Sequence, residues 1–350
     1  MTTDYNQRLE KIEEYIFGIL PEKAGPSWVS DIAGIAGSER IIRSFLFDNI
    51  NRPALDLVQR GGKRWRPMLM VLLCEARCGS MDMALPLTPL VELAHNGSLI
   101  IDDIEDNADF RRGKPAVHLL HGTDMAINTA NFLYFLSQLV IEKSDLPQQS
   151  KLKLYTLYSQ AMRRLHLGQG LDIQWHGSGT FIPDEGEYLQ MCRFKTGSLS
   201  RLAAEAGITA AGGNPLEIAE TGLACEEMGV GFQILDDITN LTTGNPGKKR
   251  GDDIVEGKKS LPVILYTAGG GDKEKLLECF REAGSLGIEK GEGAVTRAIE
   301  LLENRNSLEK AREKALEILY NSRTSIEKRY PKCRALDLIS FIFDTFTKSF

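Results

Sequence analysis

The feature that most limits how this chain can fold is an apolar stretch that ends in carboxylates and runs straight into arginines. It spans His95 to His118 and reads HNGSLIIDDIEDNADFRRGKPAVH. The residues leading into it hold no breaker strong enough to stop a helix, which puts Asp102, Asp103, Glu105 and Asp106 near a helix C-terminus. Residues four apart on a helix point nearly the same way, so Asp102 and Asp106 project together and His95 points with them. Carboxylates crowded in this way repel one another, and a hard divalent cation relieves them. Arg111 and Arg112 just beyond suit phosphate oxygens.

An acidic run followed by basic residues also describes an ordinary solvated helix end. A second cluster, GVGFQILDDITNL, separates the two descriptions: Asp236 and Asp237 again close an apolar helical run, and Gln233, Asp236 and Asn240 share one arc. Two such faces are expected to hold metal ions between them.

The rest of the chain reads as helices. Helical periodicity covers 4–20, and a linker rich in Pro, Gly and Ala follows over 21–38. Helices are expected at 39–60, 86–107, 123–143, 151–168, from 187 and over 215–241, then across 272–330 and from Leu336 to the end. Strand alternation bounded by hairpin turns is not found, so the fold class is all-α: a single large helical bundle around a deep central cavity. One domain is expected over 1–350, with an N-terminal helix and linker at 1–38 and a catalytic bundle at 39–350.

Composition narrows the partners. With 350 residues and 42% apolar side chains the chain has ample core, and its formal charge of −6 argues against a general nucleic-acid binder. Any anionic substrate must then meet local cations. Arg60 to Pro67, RGGKRWRP, sets Lys63, Arg64 and Arg66 at a helix start, where free N–H groups also favour an anion. Lys248, Lys249, Arg250, Lys258 and Lys259 lie in a long polar loop that can close over phosphate. No apolar stretch approaches the ~18 residues that span a bilayer, so an integral membrane protein is not expected. Six scattered cysteines and no secretory signal suit the cytoplasm.

Taken in order, GGKRWRP, DDIED with its RRG, GQGLD, KTG at 195–197, FQILDD and GKKSLP resemble the trans-isoprenyl diphosphate synthases, or polyprenyl synthetases, in their geranylgeranyl branch. The resemblance spans about 60–262 and implies the isoprenoid synthase fold, a homodimer, and magnesium, three ions per active site, with manganese able to replace it. It implies that Asp102, Asp106 and Asp236 bind the ions, with Asp103 in the catalytic set. Arg111, Lys195 and Lys258 would hold an allylic diphosphate; Lys63, Arg66, His95 and Arg112 would hold isopentenyl diphosphate; Thr196 and Gln233 would lie near the developing carbocation. Asn240 stands where many members carry a third Asp of the second motif.

The implied reaction is a 1'-4 condensation that elongates an all-trans prenyl chain. A terpene cyclase needs no second diphosphate site, which GGKRWRP and His95 count against, and a non-catalytic subunit should have lost a metal ligand or a cationic contact. Gly97 and Ser98, small and just before the first motif, favour geranylgeranyl diphosphate or a slightly longer product, over a floor for which Phe132 and Phe135 are candidates. A Gly inside a helix costs roughly 1 kcal/mol against Ala, so Gly97 is expected to leave space beside it.

Overall fold

Prolines and left-handed residues punctuate this chain, and helix ends fall at them. The computed structural model describes residues 2–23, 25–34, 44–244 and 249–348. Its helices are α1 (Thr2–Ile19), α2 (Pro26–Ala33), α3 (Ser44–Gln59), α4 (Trp65–Cys78), α5 (Thr88–Glu105), α6 (Val117–His121), α7 (Thr123–Leu136), α8 (Leu139–Lys143), α9 (Gln148–Gly177) and α10 (Glu185–Cys192). They continue as α11 (Ser198–Ala210), α12 (Pro215–Thr242), α13 (Asp252–Glu256), α14 (Leu261–Ala268), α15 (Lys273–Lys290), α16 (Glu292–Asn304), α17 (Ser307–Arg329) and α18 (Arg334–Lys348). The all-α expectation holds.

Local boundaries differ for physical reasons. The 21–38 linker contains α2, opened by a proline in its first turn, where the missing N–H costs nothing. The element expected to end at 168 continues to Gly177 as α9, because glycines at 168 and 170 do not break a helix that tertiary packing holds. The polar loop after α12 contains α13, flanked by left-handed Gly251 and Gly257. A two-residue antiparallel hairpin, Phe110–Arg111 with Lys114–Pro115, follows α5. Arg112 (φ 53) and Gly113 (φ 75) make its turn, the pair of positive φ values that a tight hairpin requires. Residues 39–43 of the expected second helix, and Lys248, lie outside the described residues.

The residues form two compact units, Met1–Leu157 with Ala203–Ile218 and Cys333–Leu338, and Tyr158–Leu202 with Ala219–Lys332 and Ile339–Phe350. In the first, α4 is sequestered so completely that Met68 through Cys74 show no exposure, and it packs on α5, which packs on α7. A buried ion pair locks its start: Arg64 Nη1 donates to Glu92 Oε1 at 2.6 Å, with both side chains nearly inaccessible. Such a pair is strongly destabilising to break from one side. In the second unit Ile254, Val263, Leu276, Phe280, Val295 and Leu302 form the core beneath α13–α16. There Phe232 of α12 packs against Phe346 of α18 with centroids 4.8 Å apart and the rings tilted by 56°.

Candidate active site

In the first unit the acidic helix end and the basic turn serve each other. Asp102 and Asp106 are half-buried, while Asp103, about 100° round the helix, is fully buried. Arg111 Nε donates to Asp103 Oδ1 at 2.7 Å, and its Nη2 reaches Asp102 Oδ2 at 3.3 Å. Burial alone would lower the Arg111 pKa, but Asp103, Asp102 and Asp106 raise it and keep the guanidinium charged. Arg112, one residue on in the left-handed turn, faces elsewhere. Its Nη1 donates to the Leu57 carbonyl at 3.1 Å and to Asn96 Oδ1 at 3.2 Å, both neutral acceptors. Burial, with Arg64, Arg111 and Arg60 adding to it against Glu92, pulls its pKa down to about 10.

That second guanidinium belongs to a cationic pocket. His95, half-buried and near Arg66, Arg112, Arg111 and Arg64, is held well below the usual imidazole range by desolvation first and those charges next. Arg66 is buried, with Cζ 4.4 Å from the Trp65 ring centroid. Lys63 is exposed at the rim. The glycine doublet makes room: a Cβ on Gly62 would sit 3.1 Å from the Arg112 guanidinium, at a φ of +148 that other residues avoid. Like charges gathered in low dielectric are unfavourable until an anion arrives. The turn thus splits adjacent arginines between a carboxylate-paired site and a cation-surplus site.

The expectation that Gly97 keeps a channel open is corrected. A Cβ there would lie 2.9 Å from Tyr134 Cε1 and 3.0 Å from the Ala130 carbonyl, so the space is filled by α7 and Gly97 is a close-packing glycine. Ser98 is half-buried, its Oγ donating to the His95 carbonyl at 2.8 Å. Phe132 meets Trp28 edge-on at 6.3 Å, and with Phe135 both line an apolar cavity of about 450 Å³ against α2.

In the second unit, a π-helical turn, Arg193–Gly197, carries Lys195 and Thr196. Such insertions are common where a backbone must present side chains irregularly. Lys195 Nζ donates to Asp172 Oδ2 at 2.5 Å. Thr196 Oγ1 donates to Gln233 Oε1 at 2.6 Å, Gln233 Nε2 to Asp237 Oδ1 at 2.8 Å, and Tyr188 OH to Asp237 Oδ2 at 2.7 Å. Thr196, Gln233, Asp237 and Tyr188 form one hydrogen-bonded chain. Lys258 is half-buried, its Nζ 2.6 Å from Glu256 and 3.6 Å from Asp253. The loop lysines and arginine otherwise find structural roles: Lys249 pairs with Glu289, Arg250 donates to the Leu241 carbonyl, and buried Lys259 lies 5.3 Å from the Phe280 ring centroid. Asn240 Oδ1 accepts from the Asp253 amide at 3.2 Å, an acceptor's job that an amide does as well as a carboxylate.

Asp172, Tyr188 and the orienting parts of Asp103 and Asp237 are absent from the motif reading as roles. Asp172 carries a signal, a carboxylate inside a long helix; Tyr188 meets its partner only through tertiary packing.

The metal question turns on donor chemistry. Among the described residues no three His, Cys, Asp or Glu side chains come together to hold a metal on their own. Asp102, Asp106 and Asp236 offer hard oxygen, and magnesium is bound in just this manner, by a few carboxylates completed by water and substrate phosphate. Burial, then Asp253 and Asp236, push the Asp237 carboxyl upward, the mark of an acidic field that a cation relieves. Each acidic cluster, taken within its own unit, offers the oxygen donors that suit magnesium completed by water and phosphate.

The polyprenyl synthetase family model matches residues 47–298, and the chain belongs to that family. It is 38% identical over 228 residues to the geranylgeranyl pyrophosphate synthase of Eremothecium gossypii, covering 61% of this chain and 68% of that protein. With the geranylgeranyl pyrophosphate synthase paxG of Penicillium paxilli it shares 31% over 241 residues, spanning 68% of this chain and 61% of that one. The crystal structure of geranylgeranyl pyrophosphate synthetase from Pyrococcus horikoshii superposes with a TM-score of 0.82 at 26% identity, covering 98% and 97% of the two chains. The fold is the isoprenoid synthase fold.

Proposed function

We propose that this chain condenses isopentenyl diphosphate with an allylic diphosphate to give an all-trans prenyl diphosphate, geranylgeranyl diphosphate or slightly longer, as a homodimer in the cytoplasm and as one catalytic domain. The observation that carries it is the split between Arg111 and Arg112. One guanidinium is paired with Asp102 and Asp103, and the other stands in a pocket of surplus positive charge around His95. Two diphosphates require two different receptions, and a cyclase has use for only one. The six free cysteines support a reducing compartment.

In this reading Asp102, Asp106 and Asp236 hold magnesium, which when bound neutralises charge on the departing diphosphate. Arg111, Lys195 and Lys258 would add positive charge at that same group. Lys63, Arg66, His95 and Arg112 orient isopentenyl diphosphate. Thr196 donates its hydroxyl hydrogen bond to Gln233, which leaves the oxygen lone pairs to face a developing allylic cation. Gln233 is held in that orientation because its own amide donates to Asp237. The double bond of isopentenyl diphosphate attacks the cation, and the released pyrophosphate accepts the proton then lost.

The test is to incubate the purified chain with magnesium, labelled isopentenyl diphosphate and dimethylallyl, geranyl, farnesyl or geranylgeranyl diphosphate in turn, and to size the products. An elongated series is expected. A folded sample that incorporates no label with any primer would overturn the assignment.

A further inference from the structure

Glu92 and Asn96 stand one turn apart on α5, and both are buried, the asparagine completely. A carboxylate so far from water needs donors around it. Glu92 Oε1 accepts from Arg64 Nη1 at 2.6 Å and from Asn96 Nδ2 at 2.8 Å, and the same Nδ2 reaches the Glu92 carbonyl at 2.7 Å. The glutamate thereby decides which way round the amide sits. With its NH2 group committed to Glu92, Asn96 turns Oδ1 toward Arg112 and accepts from Nη1 at 3.2 Å. The opposite orientation would set oxygen against the carboxylate and NH2 against the guanidinium, and lose both bonds. Glu92, Asn96 and Arg112 form a relay with one allowed direction.

We propose that Asn96, oriented by Glu92, is the positioning residue that makes Arg112 a ligand for isopentenyl diphosphate and not half of an ion pair. A neutral oxygen holds a guanidinium in place without cancelling its charge. Arg111, one residue earlier, is gripped by Asp103 and Asp102, so its charge is already answered. Arg112 rests on Asn96 and the Leu57 carbonyl and keeps its charge for an incoming anion. The negative charge of Glu92 is met by Arg64, whose Nη2 also donates to the Val58 carbonyl at 2.5 Å. Asparagine differs from aspartate only in carrying NH2 where the acid carries oxygen, so this one side chain sets the difference between the two arginines. This rests on the reading of Arg112 as part of the isopentenyl diphosphate pocket.

The test is a double-mutant cycle on the full-length chain that combines Asn96→Leu, which removes the acceptor at similar size, with Arg112→Gln. Two readouts are taken: the KM for isopentenyl diphosphate against the KM for the allylic diphosphate, and the calorimetric affinity for isopentenyl diphosphate with magnesium chelated. N96L should raise the first KM and weaken metal-free binding roughly 10-fold, the scale of one hydrogen bond to a charged group, and leave the allylic KM within about twofold. In the R112Q background the same substitution should change either quantity by less than about twofold, because its effect passes through Arg112. Asn96→Asp keeps the shape and serves where N96L does not fold; it should lose at least as much, since a carboxylate there cancels the Arg112 charge. Equal losses from N96L in both backgrounds, equal changes in the two KM values, or wild-type binding by N96D would overturn the proposal. A wild type that elongates no primer would refute the synthase reading instead, while metal-free affinities for inorganic pyrophosphate across the same cycle would still decide whether Asn96 acts through Arg112.

Discussion

The GQG of α9 contains two glycines that should respond oppositely to the same substitution. A Cβ on Gly168 would lie 2.3 Å from the Lys195 amide nitrogen and 2.8 Å from Lys195 Cα and the Phe194 carbonyl carbon. These are backbone atoms of the π-turn, so no side chain can swing aside. Ordinary contact between such atoms begins near 3.5 Å, so Gly168→Ala must push α9 and the turn apart by roughly 1 Å. A shift of about 1 Å at a group that positions substrate costs on the order of 100-fold in rate. Overpacking of this kind costs ~1–3 kcal/mol of stability, against a helix-propensity gain of about 1 kcal/mol for replacing glycine.

Gly170, two residues on and exposed, has nothing within 4 Å of its would-be Cβ. Gly170→Ala should therefore stabilise by about 0.5–1 kcal/mol and leave kinetics alone. Urea melts and steady-state kinetics on both variants read the contrast. A G168A enzyme with kcat within about twofold of wild type, or a G170A enzyme damaged as badly, would refute the claim that Gly168 seats the Lys195 turn.

Three further outcomes follow from the first unit. Gly97→Ala forces a methyl against Tyr134 and the Ala130 carbonyl and should lose ~1–3 kcal/mol in denaturant melts without changing product length, since no channel opens there. Ser98→Phe should shorten the product; an unchanged distribution would show that this face does not line the channel. His95 is held neutral in the fold, so the folded state binds fewer protons than the unfolded one below the ordinary imidazole pKa. Stability is then full above pH ~6.5 and lost as pH falls beneath it; His95→Asn should flatten that slope in thermal melts, and added pyrophosphate should restore the loss.

Most of the helices were legible because they rest on local rules. The 3.6-residue period found α5 and α12, Pro67 marked the start of α4, and helical spacing put Asp102 with Asp106 and Gln233 with Asp236 and Asn240 on shared arcs, although Gln233 bonds to Asp237. What the residues could not disclose depends on contacts far apart in sequence. Nothing local tells that Gly97 faces Tyr134 and Gly168 faces Lys195 while Gly170 faces solvent. The hairpin at 110–115 was hidden by its brevity: two residues per strand carry no alternation, and only the Arg-Gly turn marks it. Arg64 and Arg66 look alike in RGGKRWRP, yet the left-handed Arg64 is spent on Glu92 and the Val58 carbonyl.

The two aspartate doublets show how one sequence feature yields two jobs. Neighbours on a helix diverge by about 100°, so if the first residue of a pair faces a shared site the second must face the packed interior. Asp102 and Asp236 are half-buried, whereas Asp103 and Asp237 are buried and each holds a polar group in place. Asp103 grips Arg111; Asp237 grips Gln233 with one oxygen and Tyr188 with the other. A buried carboxylate is costly unless fully paired, so its presence argues for an orientation it enforces on the residues beside it. In the proposed function the outer aspartates would supply the charge that meets magnesium and diphosphate, while the inner ones fix the arginine and the amide beside them. A doublet is thus required at each helix end, because neither residue can face both ways.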